Sequence, residues 1–494
     1  MGIIKKQSIA GTVIAYIGVI LGFITTALLY PEVLSKSEIG LLRLLVSISV
    51  IFAQFSGLGF TSVTLRNFPY FRDLKEKHHG FFKLVLLINL VGFVLAMVIF
   101  FAIKPWLISQ NIEKSYLFVE YISYLIPLIF FTTFFNALDS YYRAVYNAVK
   151  GSLYKEIYQR IFILAAVLLF YFNTIDFSQL VLLYVIAICL PTLILAWSIH
   201  RSGNFVLGDY RSFITKDMAR NMRSVAIYGI ATSFSGVLIL NIDIVMINDM
   251  LGLADTGIYS ITFYFGTLIL VPSRSVIKIA VIVIADGWKS NDRKKIMEVY
   301  DKSNRILSAI GLLLFLGLML NLDQVFDILN PDFEPGRLVI VFIGLANLIE
   351  MFTSVSQYII SNSKNYKVIS WFLFVFAALL VITNLIFIPL YGLVGAAIAS
   401  MISRFIYNFI SWAYVYYKYK MQPFKWSYFA LLTIGLIAYL IGSLTPDFEW
   451  YVYTIVVQSA VFTSVFIILL YFLKFSDDIN QTIDKSINFM LSRK

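Results

Sequence analysis

Charge is scarce in this sequence of 494 residues: Asp, Glu, Lys and Arg together make up 14%, while hydrophobic residues reach 60%. Soluble domains carry about 25% charged residues, so an ordinary soluble fold is excluded; this much apolar surface must be solvated by lipid. Cysteine is nearly absent as well. The single thiol, Cys189, lies inside an apolar run, and a lone cysteine closes no internal disulfide. Histidine is limited to His78, His79 and His200, all in or beside basic connections. No His-based metal site and no intramembrane Ser-His dyad can therefore be assembled from the apolar runs. The phosphate-cradling pattern GxxxxGK[ST] is missing too, which argues against a built-in ATPase.

Long apolar runs are what the chain has instead. A helix of about 20 such residues, rising 1.5 Å per residue, crosses a hydrocarbon core of about 30 Å. Fourteen runs of this kind are legible between residues 9 and 473. The first leads into Tyr30-Pro31-Glu32 rather than a small-residue cleavage site, so it reads as a membrane helix and not as a signal peptide. The expected fold class is an all-α polytopic membrane protein.

The basic residues test this reading. With the N-terminus inside, 30 of the 39 Lys and Arg residues fall at the N-terminus, in alternate connections and in the tail. The opposite connections contain only Lys36, Lys104, Lys114 and Arg337, and five basic residues fall within the runs. This asymmetry predicts that both termini are cytoplasmic, and it accounts for the net charge of +11 without nucleic acid as a partner.

Residues 34–40 read LSKSEIG and residues 251–257 read LGLADTG, placing Gly40 and Gly257 in equivalent positions. Each phrase lies on the expected outer side, one between runs 1 and 2 and the other between runs 7 and 8. The period is six helices, and because six is even the second copy keeps the orientation of the first, as in a parallel repeat. The predicted organisation is an N-terminal six-helix lobe over 1–199, a basic linker over 200–223, a C-terminal six-helix lobe over 224–417, and two extra helices over 428–473. A tail over 474–494 repeats Ile479, Ile483, Ile487 and Leu491 every four residues, the pattern of a helix lying on the inner membrane surface. In run 12, Gly392, Gly395, Ala396 and Ala399 set small residues at helical spacings, the usual signature of close helix packing.

Several stretches resemble a known family. The opening GTVIAYIGVILGFITTALLYPEVLSKSEIGLLRLLVSISV, the IVMINDMLGLADTGIYS of the second half, the VPSRSV of run 8 and the IPLYGLVGAAIASMISRF joining runs 11 and 12 are similar to the multidrug, oligosaccharidyl-lipid and polysaccharide exporter superfamily. Within it, the chain most resembles the bacterial flippases for lipid-linked oligosaccharides. The resemblance implies two six-helix lobes around a central cavity that opens alternately to either side. It implies a polyprenyl-linked glycan as substrate, membrane lipid and polysaccharide assembly proteins as partners, and the bacterial cytoplasmic membrane as location. Helices 13 and 14 look like the extra pair of the oligosaccharide and lipid II flippases, since multidrug exporters of the superfamily typically stop at twelve. A cation-coupled multidrug exporter is the nearest alternative. A membrane polysaccharide polymerase or ligase is the alternative from another class, disfavoured because the longest outer connection, 321–337, is short for a catalytic domain.

Moving a pyrophosphate-linked glycan across lipid calls for cationic side chains in a watered cavity. Arg404 is the foremost candidate, about 18 Å into run 12 and beyond easy reach of either interface. It serves either the cavity or an internal pair with Glu350. Arg274 and Lys278 sit four apart on one face of run 8 just after Pro272, and are compatible with a cavity role, with snorkelling, or with a pair to Asp286. Arg43, near the outer end of run 2, either lines the cavity or snorkels. Asp243 and Glu350 are intramembrane carboxylates suited to H+ or Na+ coupling or to structural hydrogen bonding. Asn384 and Ser400 add neutral oxygen donors. By resemblance, a sodium site of the lipid II flippases joins helices 7, 11 and 12, which here carry Asp243, Asn384 and Ser400, although helix 11 of this chain has no carboxylate. No other cofactor is expected.

Overall fold

The computed structural model describes residues 2–73, 75–145, 147, 149–353, 355–476, 478–481 and 484, the side chains of 2–6, 8 and 9 excepted; among these residues every regular element is helical. The reason lies in the solvent: in hydrocarbon, each backbone N–H and C=O needs a partner within its own segment, and a helix supplies it. Among the described residues, eleven helices are long and apolar enough to cross a membrane.

These include α1 (Ala10–Val33), α2 (Lys36–Ser56), α3 (Lys77–Asn111) and α4 (Tyr116–Ala144). The next segment, α5 (149–171), is built of three shorter pieces with a π-helical turn at Tyr154–Tyr158. It is followed by α6 (Phe177–Arg201), α7 (Lys216–Met250) and α8 (Leu253–Leu270), the last continuing beyond Pro272 as Ser273–Lys289. Next come α9 (Arg293–Leu320) and α10 (Pro331–Thr353).

One continuous assignment, Lys367–Tyr419, has 53 residues, far more than one crossing needs. It is a hairpin. Gly392 breaks the helical backbone with φ 61° and ψ −140°, a region an L side chain rarely adopts, and separates α11 (367–391) from α12 (393–419). The Thr383 and Ser403 hydroxyls lie 3.0 Å apart, whereas 20 residues of straight helix would hold them about 30 Å apart. The last two are α13 (Ser427–Ser443), short at 17 residues, and α14 (Tyr451–Phe472). With α5, α13 and the split hairpin added to the longer helices, the structure is compatible with fourteen segments.

The chain divides into two compact units, Met1–Ile261 and Thr262–Lys494. In the first, Phe68, Phe71, Phe81, Phe82 and Tyr141 form a dense aromatic core where the helix Phe60–Phe71 meets α3 and α4. α7 packs along α2 within this unit, so the compact division falls inside α8 rather than at the 199/224 boundary of the sequence repeat. In the second unit, α13 and α14 pack on α9 through Leu312, Leu431, Ile434, Phe462 and Phe466. Ile479 of the tail joins this cluster, while Ile483, Ile487 and Leu491 lie outside the described residues.

The start of α2 shows how the opening phrase folds. Ser35 caps the helix, its Oγ accepting from the Glu38 N–H at 3.3 Å while Glu38 Oε2 accepts from the Ser35 N–H at 2.7 Å. This reciprocal box satisfies two donors that the first turn otherwise leaves open. Ser35→Ala should therefore lower stability by about 0.5–2 kcal/mol, read as a lower thermal midpoint of the detergent-solubilised protein; an unchanged midpoint would refute the cap's contribution.

Candidate functional site

The two copies of the repeated phrase meet inside the first unit. A methyl carbon at Gly40 would overlap the carbonyl oxygen of Leu253, four residues before Gly257. A methyl carbon at Gly257 would overlap the carbonyl oxygen of Lys36, four residues before Gly40. The contact is thus reciprocal: each glycine lets the other helix's backbone approach, the geometry that small residues permit between membrane helices. Beside it, Ser115 Oγ donates to Asn248 Oδ1 at 2.8 Å and Asn248 Nδ2 donates to Asn111 Oδ1 at 2.6 Å, tying the ends of α3 and α7 to the start of α4.

Deeper on α7, Asp243 is buried and accepts a hydrogen bond from the Tyr259 hydroxyl at 2.9 Å. Tyr259 and Tyr184 are also within electrostatic reach of the half-buried Arg43 on α2. Arg43 and Asp243, read separately in the sequence, thus share Tyr259 as a neighbour. No sequence signal pointed to Tyr259, which is 16 residues from its carboxylate partner. On α5, Arg160 pairs with Glu156 at 2.8 Å.

The second unit holds the most buried cation among the candidates. Arg404, 7% exposed, donates from Nη1 to Asn347 Oδ1 at 2.7 Å and to Glu350 Oε2 at 2.8 Å. Asn347 in turn donates from Nδ2 to the Gly266 carbonyl at 2.8 Å, and Asn408 Nδ2 donates to the Arg404 carbonyl at 2.9 Å. A guanidinium removed from water thereby gains a carboxylate and an amide that replace part of its hydration. Glu350 keeps 28% side-chain exposure, so the pair is sealed on the arginine's side and accessible on the carboxylate's. Asn347 went unread in the sequence, although its place three residues before Glu350 puts both on one helix face.

The remaining candidates are placed as follows. Arg274 and Lys278 are exposed on one face of Ser273–Lys289. Asn384 and Ser400 are buried on α11 and α12. Each brings a hard oxygen donor of the kind Na+ accepts, but the only carboxylate of the three-residue set is Asp243.

Two compact helical units with many apolar spans define a polytopic membrane protein. The chain belongs to the family described as "Polysaccharide biosynthesis protein", which matches residues 4–284. Its fold is that of the MOP superfamily. It is similar to a solved structure of the lipid II flippase MurJ in an inward closed conformation, with a TM-score of 0.76 at 13% identity, over 95% of this chain and 98% of that one. It is also similar to an inward-facing multidrug resistance MATE transporter of the MOP superfamily, with a TM-score of 0.60 at 15% identity, over 85% of this chain and 96% of that one. Comparison with curated protein sequences finds no match.

Proposed function

We propose that this protein carries a lipid-linked oligosaccharide, a glycan joined through pyrophosphate to a polyprenyl tail, from the inner to the outer leaflet of the bacterial cytoplasmic membrane during surface polysaccharide biosynthesis. The family match supports this reading, because polysaccharide biosynthesis needs a glycan on the far side of a membrane, and the fold is similar to that of a solved flippase. Alternating access would bring the sugar through a watered path while the tail stays in lipid, avoiding several kcal/mol for each polar group left unpaired in hydrocarbon, of the order of 2–7. Arg404, Arg274, Lys278 and Arg43 are the cations assigned to the phosphate. The glycine crossing of Gly40 and Gly257 lies on the side that the basic residues mark as outer, so it would have to part for release.

Coupling has two sources in this reading. Outward movement of a doubly charged pyrophosphate down an inside-negative potential releases about 4.6 kcal/mol per 100 mV, from about 2.3 per charge. Asp243 in the first unit, and Glu350, Asn384 and Ser400 in the second, are the residues assigned to coupling with Na+ or H+ where an ion is used. A second reading, cation-coupled drug export, is favoured by the likeness to the MATE structure.

Deletion of the gene should cause a polyprenyl-linked glycan to accumulate on the inner leaflet, and the wild-type chain should clear it. No accumulated intermediate, together with a heightened sensitivity to cationic drugs, would replace the flippase reading with the exporter.

A further inference from the structure

The α11–α12 hairpin carries a groove that none of the roles above uses. Its narrow part, about 140 Å³, is walled by Phe372, Phe376, Leu379, Ile406 and Ile410. A wider continuation of about 460 Å³ shares Phe372 and Ile410, runs past Ala413 and Tyr414, and ends on Lys418. The floor is aromatic and ordered: Phe376 stacks on Tyr407 with centroids 4.9 Å apart, and Phe372 meets Tyr414 edge-on at 5.7 Å. Ala413, small among large neighbours, is what leaves the wider part open.

Length and charge together select an occupant. From Ile406 to Lys418 the groove follows about 18 Å of helix, slightly more than half of a hydrocarbon core of about 30 Å, and so the depth of one leaflet. The narrow end is apolar and the wide end basic. From residue 351 to residue 446 the sequence contains no Asp or Glu, while Lys364, Lys367, Lys418 and Lys420 gather where the two helices of the hairpin begin and end. Tyr417 is exposed beside Lys418, the pairing of aromatic and basic side chains found at a membrane interface.

We propose that this groove binds one acyl chain of an anionic phospholipid from the leaflet facing the basic connections, with Lys418 taking the phosphate. The apolar floor suits a hydrocarbon chain one leaflet long, and the lysines at the hairpin's ends suit a negative headgroup. The site is independent of the transported substrate. It would anchor the hairpin that carries Arg404, Asn384 and Ser400.

The test uses the full-length protein in mild detergent, with phosphatidylglycerol or phosphatidylcholine added, and counts retained lipids by native mass spectrometry. Wild type should retain phosphatidylglycerol in preference to phosphatidylcholine. Lys418→Gln should weaken that retention about fivefold, the factor expected for one lysine at an anionic headgroup. Ala413→Phe, which fills the wide part, should abolish it, whereas Lys294→Gln on α9 should not change it. Equal retention of the two lipids, or wild-type retention in Lys418→Gln, overturns the proposal. Displacement of phosphatidylglycerol by polyprenyl phosphate at equal concentration would give the groove to the carrier lipid and overturn the phospholipid assignment. Lys418 is exposed, so its variant keeps the test decisive even where Ala413→Phe fails to fold.

Discussion

Gly257→Leu should sharply reduce the amount of folded protein in the membrane, and Gly40→Leu should do the same. At both positions the first side-chain carbon would overlap a backbone carbonyl of the opposing helix, and a backbone cannot rotate aside as a flexible side chain can. Overpacking of a tight contact costs about 1–3 kcal/mol, occasionally more, and here the alternative is to separate α2 from the start of α8 and lose their packing. Gly236→Leu, on α7 where a first side-chain carbon would meet open space, is the matched control and should accumulate normally. Size-exclusion profiles and thermal midpoints of the tagged variants would measure the difference. Wild-type abundance and midpoint in Gly257→Leu would show that the crossing is looser than described.

That crossing also shows how far the sequence could be read. Repetition of LSKSEIG as LGLADTG identified two equivalent glycines, and the apolar runs with their alternating basic connections identified an all-helical membrane protein. Nothing in the repeat revealed that its two copies touch, because periodicity reports which face of a helix is apolar and not which distant helix covers it. The same limit hid the division of the chain within α8, which depends on packing between α2 and α7. At the candidate site, unusual residue types were legible one by one: a cation or carboxylate in hydrocarbon stands out wherever it occurs. Their neutral partners were not. Tyr259 and Asn347 are ordinary in composition and become informative only once Asp243 and Arg404 are found bonded to them. Hairpin α11–α12 lies between these cases, since Gly392 was visible as a small residue but its positive φ, which turns the chain back, was not.

Arg404→Gln should be the most damaging single change among the candidate cations. The guanidinium is the buried member of its pair and Glu350 keeps solvent access, so losing the bonds to Glu350 and Asn347 should cost about 1.5–3 kcal/mol. Glu350→Gln should cost more, about 3–5 kcal/mol, because it leaves the buried guanidinium without its counter-charge. The double change Arg404→Met with Glu350→Leu removes both charges and fills similar volume, so it should recover much of the stability lost in Arg404→Gln. This double variant separates two roles that a single variant confounds. Were Arg404 only a brace between α10 and α12, the double variant would fold and export the glycan normally. The proposed function requires otherwise: a folded double variant, present at wild-type abundance, should fail to clear the lipid-linked glycan, because the cation assigned to its phosphate is gone. Normal export at normal abundance would remove Arg404 from the substrate path and leave Arg274, Lys278 and Arg43 to supply the charge.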